Sequence, residues 1–585
     1  MHKTPDEATF TQDGFDRCPP FTSFLPGIAG FYGKPMWLYY VNRGQAVACF
    51  GIRDKNHGIM PFQSASLHLA RVEQEGFRTL VRWREGDAPR FYEPFRAAVE
   101  AKRSLTITPA ALMLDETGGG AALDFRVAYT TVAGESCPAL LRSVTITNRS
   151  SAARSLDVLD GFPRLVPYGL DHFASQNAPF IGQGYLHIDG LGEGLPFFRF
   201  LDAPSYQHVI ARRDAGHFYF AFAGGAADRL PVVVDGDVVF GEGGSWAVAA
   251  PFARGDDLLL ARQKTACMTA SVFARWQGAL EPGASVVLHS VCGSADTFDA
   301  ANALRKRAMA PGWVDRKRKE AAVEVEKVRH RFFMHCGEDT LNGYVPQTFL
   351  DNVLRGGLPV TLKAGEREHH LHVFNRVHGD LERDYNRFSL APTYFSQGNG
   401  HYRDVNQNRR NDIWFNPGIG AGNLRYFFNL LRLDGYNPME CLGVVFRLDP
   451  DVDAEGLIAA AGLTAPGSPL LRMLDDEFTP GELLDALTSS GMAREEFPQA
   501  LEAILSRATT REKAGFGNGF WIDHWFYCFD HLERFVALFP DQIEHALLDD
   551  SGYTYWDDEH RVTERAERYL LVGEQLVHQV GKPVV

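Results

Sequence analysis

The spacing of apolar residues changes near Asp299, and that change limits what this chain can fold into. From about residue 20 to about 295, apolar residues come in short runs rich in Val, Ile, Phe and Tyr, broken by Gly, Asp and Asn. Such runs predict strands. Val144-Thr145-Ile146-Thr147 and Ser285-Val286-Val287-Leu288 are examples. Within Leu230 to Phe240, the runs PVVV and DVVF flank Asp235-Gly236, a pair suited to the positive φ angles of a tight turn, so a hairpin is expected. From Ala301 to His335 the chain is instead rich in Ala, Glu, Lys and Arg with one Pro311-Gly312 break, which predicts a helical connector.

Beyond the connector, segments close on glycines: Thr348 to Arg355 before Gly356-Gly357, and Asn423 to Leu433 before Gly435. These predict a mostly helical second half. Shorter Leu/Ala-rich helices are expected across Asp451 to Ala514, where Thr479-Pro480-Gly481-Glu482 is a capping-box start, and this stretch reads as a peripheral insertion. A chain of 585 residues is too long for one core, so the fold class is multidomain β + α.

Charge and cysteine usage exclude several functions. A formal net charge of −14 argues against nucleic-acid binding, which needs a basic face. No apolar run is long enough to span a bilayer, and MHKTPDEATFTQDGF lacks the pattern of a secretory leader, so no membrane partner and a cytoplasmic location are expected. The eight cysteines lie far apart without a CxxC pair, which disfavours zinc sites and disulfide scaffolds. His369-His370 sits in a charged stretch expected to be exposed, and with no paired-histidine motif no metal is expected. Neither a Gly-x-Ser-x-Gly elbow nor a phosphate-binding Gly-x-x-x-x-Gly-Lys-Ser/Thr loop occurs.

The densest polar chemistry lies in Gln397 to Asp412, QGNGHYRDVNQNRRND, next to Trp414 and Phe415. Pyranose hydroxyls both donate and accept, so a site that reads them needs planar donors such as Arg403 and acceptors such as Asp404 beside aromatic faces. A solvated polar loop is the competing explanation. Two further clusters mix acids with aromatics: His378-Gly379-Asp380-Leu381-Glu382-Arg383-Asp384-Tyr385-Asn386 and Trp521-Ile522-Asp523-His524-Trp525. Chemistry at a glycosidic bond needs a carboxylic acid, which makes Asp380, Glu382, Asp384, Asp404 and Asp523 candidates. Glu382, Arg383 and Asp384 also fit an ion-pair network, Arg409 and Arg410 fit partners for Asp412, and His524 fits either a proton shuttle or a hydrogen-bonded helix residue. In the N-terminal block, Trp37, Tyr39 and Tyr40 read as core. Asn42-Arg43-Gly44-Gln45 reads as a turn that reaches the helical domain or a second subunit.

The strings VNRGQAVACFGIRDKN, QTFLDNVLRGG, HGDLERDYN, SQGNGHYRDVNQNRRND and WIDHWFYCFDHLE, with Tyr402-Arg403-Asp404 followed by Gln407, resemble the cellobiose phosphorylase family, glycoside hydrolase family 94, in its cellobiose-phosphorylase-like branch. The resemblance implies an N-terminal β-supersandwich over 1–298 and a helical linker over 299–335. It further implies the N-terminal part of an (α/α)6 barrel over 336–585, interrupted by the insertion at about 451–514. It also implies inverting phosphorolysis of a β-glucoside to a sugar 1-phosphate, with inorganic phosphate as co-substrate and no other cofactor. Arg403, Asp404 and Gln407 would then bind the donor sugar, joined as substrate-binding candidates by Asp384, Asp523 and His524. Asn408 stands where the family often has Asp. The family's general acid ends a Trp-Asn-Asp triplet that this sequence lacks, Trp556-Asp557-Asp558 being the nearest string.

The resemblance therefore leads to the expectation of a C-terminally incomplete chain, inactive alone, whose partners are an oligosaccharide or sugar 1-phosphate and a second copy or a complementing C-terminal subunit. A non-catalytic carbohydrate-binding protein and a β-glucan hydrolase or transglycosylase are the alternatives.

Overall fold

The computed structural model describes residues 9–200, 213–224, 229–243, 245–377, 388–433, 435–460, 469–519, 521–557, 567 and 569–578. Two compact units emerge, Met1–Thr348 with His378–Ser396, and Phe349–Val377 with Gln397–Val585.

The first unit is built on antiparallel sheets. A nine-stranded sheet runs Phe10–Asp13, Lys102–Ile107, Ala111–Thr117, Leu123–Thr131, Ala139–Asn148, Ser285–Ala295, Gly216–Ala223, Phe197–Phe200, Leu186–Asp189. A five-stranded sheet runs Val232–Asp235, Ala270–Leu280, Arg154–Leu165, Arg78–Glu85, Ala88–Tyr92, and a three-stranded sheet is formed by Thr22–Leu25, Trp37–Val41 and Val47–Gly51. The alternation that predicted strands is visible in Ala111–Thr117, where Leu112, Leu114 and Glu116 point inward and their neighbours outward. All three sheets feed one core that includes Tyr39, Val127, Val144, Phe162 and Val272. Val144 of the predicted strand lies opposite Leu288 in the register.

Helices Phe298–Ala308 and Trp313–Arg329 follow, separated at Gly312, whose φ of 74° marks the break expected at Pro311-Gly312. The second helix buries Trp313, Lys317, Ala321, Val325 and Val328, one stripe at helical spacing.

The expected hairpin at Asp235-Gly236 does not form. Val232–Asp235 is a strand, but Gly236–Phe240 is a short helix. The Asp235 carboxylate accepts from the backbone N–H of Asp237 at 3.1 Å and of Lys264 at 2.9 Å, so it caps a helical turn instead of entering the left-handed region. Val239 and Phe240 then pack with Phe252 and Phe273. Trp37, Tyr39 and Tyr40 are core, as expected. Asn42 and Gln45, by contrast, are engaged inside their own unit. Asn42 Nδ2 donates to the carbonyls of Phe15 and Pro19, its Oδ1 accepts from Phe21 N–H, and Gln45 meets Arg142 and Thr79.

The second unit is mixed. The helix Asp339–Gly356 leads into a hairpin of Leu358–Ala364 with Arg367–Val373. Helices Tyr402–Arg409, Asp412–Phe415, Gly422–Asn429 and Ile522–Leu538 accompany a sheet of Gly400–His401, Asn437–Leu448 and Ala508–Gly519. The expected insertion holds the helices Ala454–Ala460, Pro469–Leu474, Pro480–Ser489 and Phe497–Leu505, with the Thr479/Glu482 capping box formed. His369 is not exposed. It lies 5% exposed on the inner face of its strand, its Nε2–H donating to the Leu505 carbonyl at 2.9 Å and its Nδ1 beside the Thr510 hydroxyl at 2.8 Å. Among the described residues, no helix is long and apolar enough to cross a membrane, and no three His, Cys, Asp or Glu side chains are grouped to hold a metal ion.

Candidate functional site

The helix Tyr402–Arg409 starts where the strand Gly400–His401 ends. It buries Tyr402, Val405, Asn406 and Arg409, positions i, i+3, i+4 and i+7. That stripe leaves Arg403, Asp404 and Gln407 on the accessible side of the helix. Ile522–Leu538 buries His524, Cys528, His531 and Phe535 in the same rhythm.

The two buried stripes lock together through polar atoms. Tyr402 Oη lies 3.5 Å from Cys528 Sγ, Asn406 Nδ2 lies 3.3 Å from the same sulfur, and Asn406 Oδ1 accepts from His531 Nε2 at 3.0 Å. Above this seam, Arg403 Nε meets Asp523 Oδ2 at 3.0 Å, with the side chains 60% and 32% exposed. At that exposure the pair adds little stability, so its consequence is orientation: two groups distant in sequence present a donor fork and a carboxylate at one surface.

His524, next to Asp523, is only 4% exposed. Its Nδ1–H donates to Asn437 Oδ1 at 3.1 Å, and its ring sits 5.1 Å from Tyr402 and 5.3 Å from Trp521. Burial lowers its pKa against the opposing pull of Asp523, and Asp404 is near enough to raise its proton affinity as well. A neutral imidazole held by an amide on one side and aromatic rings on the others fits the hydrogen-bonded helix residue and not a freely titrating shuttle.

Arg403, Asp404, Asp523 and His524 thus come together, with Gln407 one turn along the same face. Asp384, with His378, Asp380 and Glu382, lies outside the described residues.

Much of the polar stretch that first suggested a site is internal. Gln397 brackets Val444 through its amide at 3.2 Å in both directions, Asn399 donates to Glu440 at 2.5 Å, and Asn408 donates to the Asp404 carbonyl at 2.7 Å. Arg409 donates to the Gly356 carbonyl at 2.6 Å and stacks over Tyr426, while Arg410 pairs with Asp530 at 2.8 Å. Asp412 is bonded instead to His372 Nε2 at 2.8 Å and Asn423 Nδ2 at 3.0 Å. Sequence reading missed Asn437, His372 and His531: His372 follows Arg367-Glu368-His369-His370 and His531 lies between Asp530 and Glu533-Arg534, so their neighbours read as surface and nothing local marks them as buried.

No protein-family model matches the chain, and no curated protein is similar to it in sequence. Among solved structures, a protein assigned as a kojibiose phosphorylase from the human microbiome aligns over 72% of this chain and 45% of its own, at 7% identity and a TM-score of 0.29. A polysaccharide lyase aligns over 46% of this chain and 34% of its own, at 11% identity and a TM-score of 0.28. A galactose mutarotase-like protein from Clostridium acetobutylicum aligns over 49% of this chain and 98% of its own, at 11% identity and a TM-score of 0.24.

Proposed function

We propose that this chain is a carbohydrate-binding protein of the glycoside-phosphorylase type, which holds a saccharide at the surface formed by Arg403, Asp404, Gln407 and Asp523. The observation that carries the reading is the Arg403–Asp523 pair at 3.0 Å. It sets a guanidinium and a carboxylate side by side, near a second carboxylate and the 45% exposed Trp521 ring. Paired donors and acceptors beside an aromatic face are what a pyranose requires.

On this reading the first unit is a β-supersandwich, the helices Phe298–Ala308 and Trp313–Arg329 are its linker, and the second unit belongs to an (α/α)6 barrel. Inorganic phosphate is the co-substrate of the bond-breaking step. Phosphorolysis also needs a proton donor to the leaving oxygen, and the Trp-Asn-Asp triplet that supplies it in the resembled family is absent from this sequence. Holding the sugar is the role proposed for Arg403, Asp404, Gln407 and Asp523.

Titration of Trp fluorescence with cellobiose and with glucose 1-phosphate tests it. Arg403→Ala removes a charged hydrogen-bond partner and is expected to weaken binding by about 1.5–3 kcal/mol. Unaltered affinity in that variant overturns the assignment. Release of phosphate from glucose 1-phosphate with a glucose acceptor tests catalysis separately.

A further inference from the structure

The first unit contains a cleft of about 180 Å³ that the helical site does not involve, lined by Asn56, His57, Tyr168, Asp171, Arg213 and His217 among others. Three structural pieces frame it. The turn Lys55–His57 is fixed by Asp54, whose Oδ1 lies 2.7 Å from His57 Nδ1 and accepts from Asn56 N–H at 2.8 Å. The segment 167–171 is pinned by Tyr168, which exchanges backbone hydrogen bonds with Phe198 and Phe200 at 3.2 and 3.0 Å, and by Asp171, which caps the helix His172–Asn177. Arg213 Nη1 donates to the Gly169 carbonyl at 3.3 Å. Gly169 has φ +97°, and a Cβ there would stand 2.1 Å from that guanidinium, so glycine is what lets Arg213 lie at the cleft.

His217 supplies the decisive observation. It is 2% exposed, is the second residue of the strand Gly216–Ala223, and packs edge-on against Tyr168 at 5.5 Å. Its Nδ1–H donates to the Val166 carbonyl at 2.8 Å, which fixes the tautomer and leaves Nε2 as a lone-pair acceptor. Nε2 has no hydrogen-bond partner among the described residues. Burial pushes this imidazole down to about 4, so at neutral pH it stays an acceptor. A buried acceptor without a donor is costly, and a ligand hydroxyl resolves it. A deprotonated anion oxygen does not, because it presents lone pairs to a lone pair. The other lining groups are mixed in the same sense: Arg213 donates, Asp171 accepts, and the Asn56 amide does both.

We propose that this cleft binds a monosaccharide-sized polyol, one hydroxyl of which donates to His217 Nε2. The volume is well below the roughly 300–1,000 Å³ of pockets for drug-sized ligands, which limits the ligand to one ring. The inference uses no residue of the helical unit.

The test is ligand-observed NMR and titration calorimetry on the full chain carrying Arg403→Ala, so that the helical-unit surface does not contribute. D-glucose, D-galactose, D-mannose and myo-inositol are the probes, with inorganic phosphate as the anion control. At least one polyol is expected to bind. His217→Asn keeps an amide near the Nδ1 position and deletes the acceptor, and is expected to weaken that binding about tenfold. Tyr168→Ala, a half-buried rim residue, gives the same readout if the His217 variant does not fold. Absence of binding by all four polyols, or affinity unchanged in both variants, overturns the proposal. So does binding of phosphate in preference to the polyols, which would make the cleft an anion site.

Discussion

At the scale of single residues, burial decides protonation more than sequence neighbours do. Asp412 sits among Arg409, Arg410 and Asn411, yet neither guanidinium neutralises it by direct contact. Its carboxyl lies 2.8 Å from His372 Nε2, both side chains are less than 10% exposed, and burial raises Asp412 to about 7 while holding His372 well below the usual imidazole range. The pair is therefore held neutral, a hydrogen bond and not an ion pair at mildly acidic pH. The folded protein keeps a proton on Asp412 up to about pH 7, whereas the unfolded chain loses it near pH ~4. Across that window the native state binds more protons, so this group's contribution to stability falls as pH rises. Asp412→Asn removes the titration and preserves the shape. Its stability relative to the parent is expected to improve steadily as pH rises from about 4 to about 7 and to level off above that, read from urea midpoints. A difference independent of pH would show that Asp412 titrates normally. The buried His531, pushed down to about 3, acts in the opposite direction in both proteins and cancels in the comparison.

Elements were legible where local chemistry and packing agree. Thr479 accepts from Glu482 N–H at 3.2 Å and the Glu482 carboxylate returns to Thr479 N–H at 2.9 Å, as the sequence of that helix start predicts. Because this cap is exposed, Thr479→Ala is expected to cost about 1 kcal/mol. It should appear as faster amide exchange across Pro480–Ser489, with little change in exchange at the strand Ala139–Asn148. Equal acceleration in both would mean that the cap acts on global and not local stability. The strand Ala508–Gly519, ATTREKAGFGNG, was not legible. It carries five polar and charged residues in a row, Thr509 to Lys513, and four glycines or alanines near its end, and it is extended because Asn437–Leu448 pairs with it across some seventy residues, with two register shifts. Asp235-Gly236 failed for the converse reason: a strong turn signal was overruled by a carboxylate that found two backbone donors. The candidate site shows the same split. Its letters were visible in the sequence, but which of them face outward follows from the helical stripe that buries Tyr402, Val405, Asn406 and Arg409.

At the scale of the whole molecule, each unit carries its own core: Tyr39, Val127 and Val272 belong to one, Ile413, Leu424 and Phe535 to the other. The first also contains a fully enclosed ionic network. Arg142 is 1% exposed and donates to both oxygens of Asp160 at 2.8 and 3.0 Å, to Gln45 Oε1 at 2.5 Å and to Thr79 Oγ1 at 3.1 Å, with Phe77 and Tyr129 stacked on its guanidinium. Asp160→Ala would remove the counter-charge of the buried guanidinium and strand Arg142 Nε, a change expected to cost about 3–5 kcal/mol. Separate cores predict that the full chain melts in two calorimetric transitions and that Asp160→Ala lowers only the one belonging to the sheet unit. Asp412→Asn should move only the other. A single transition shifted by both substitutions would show that the two cores unfold as one cooperative body, in which case the saccharide surface of the helical unit and the cleft beside His217 would share their stability as well.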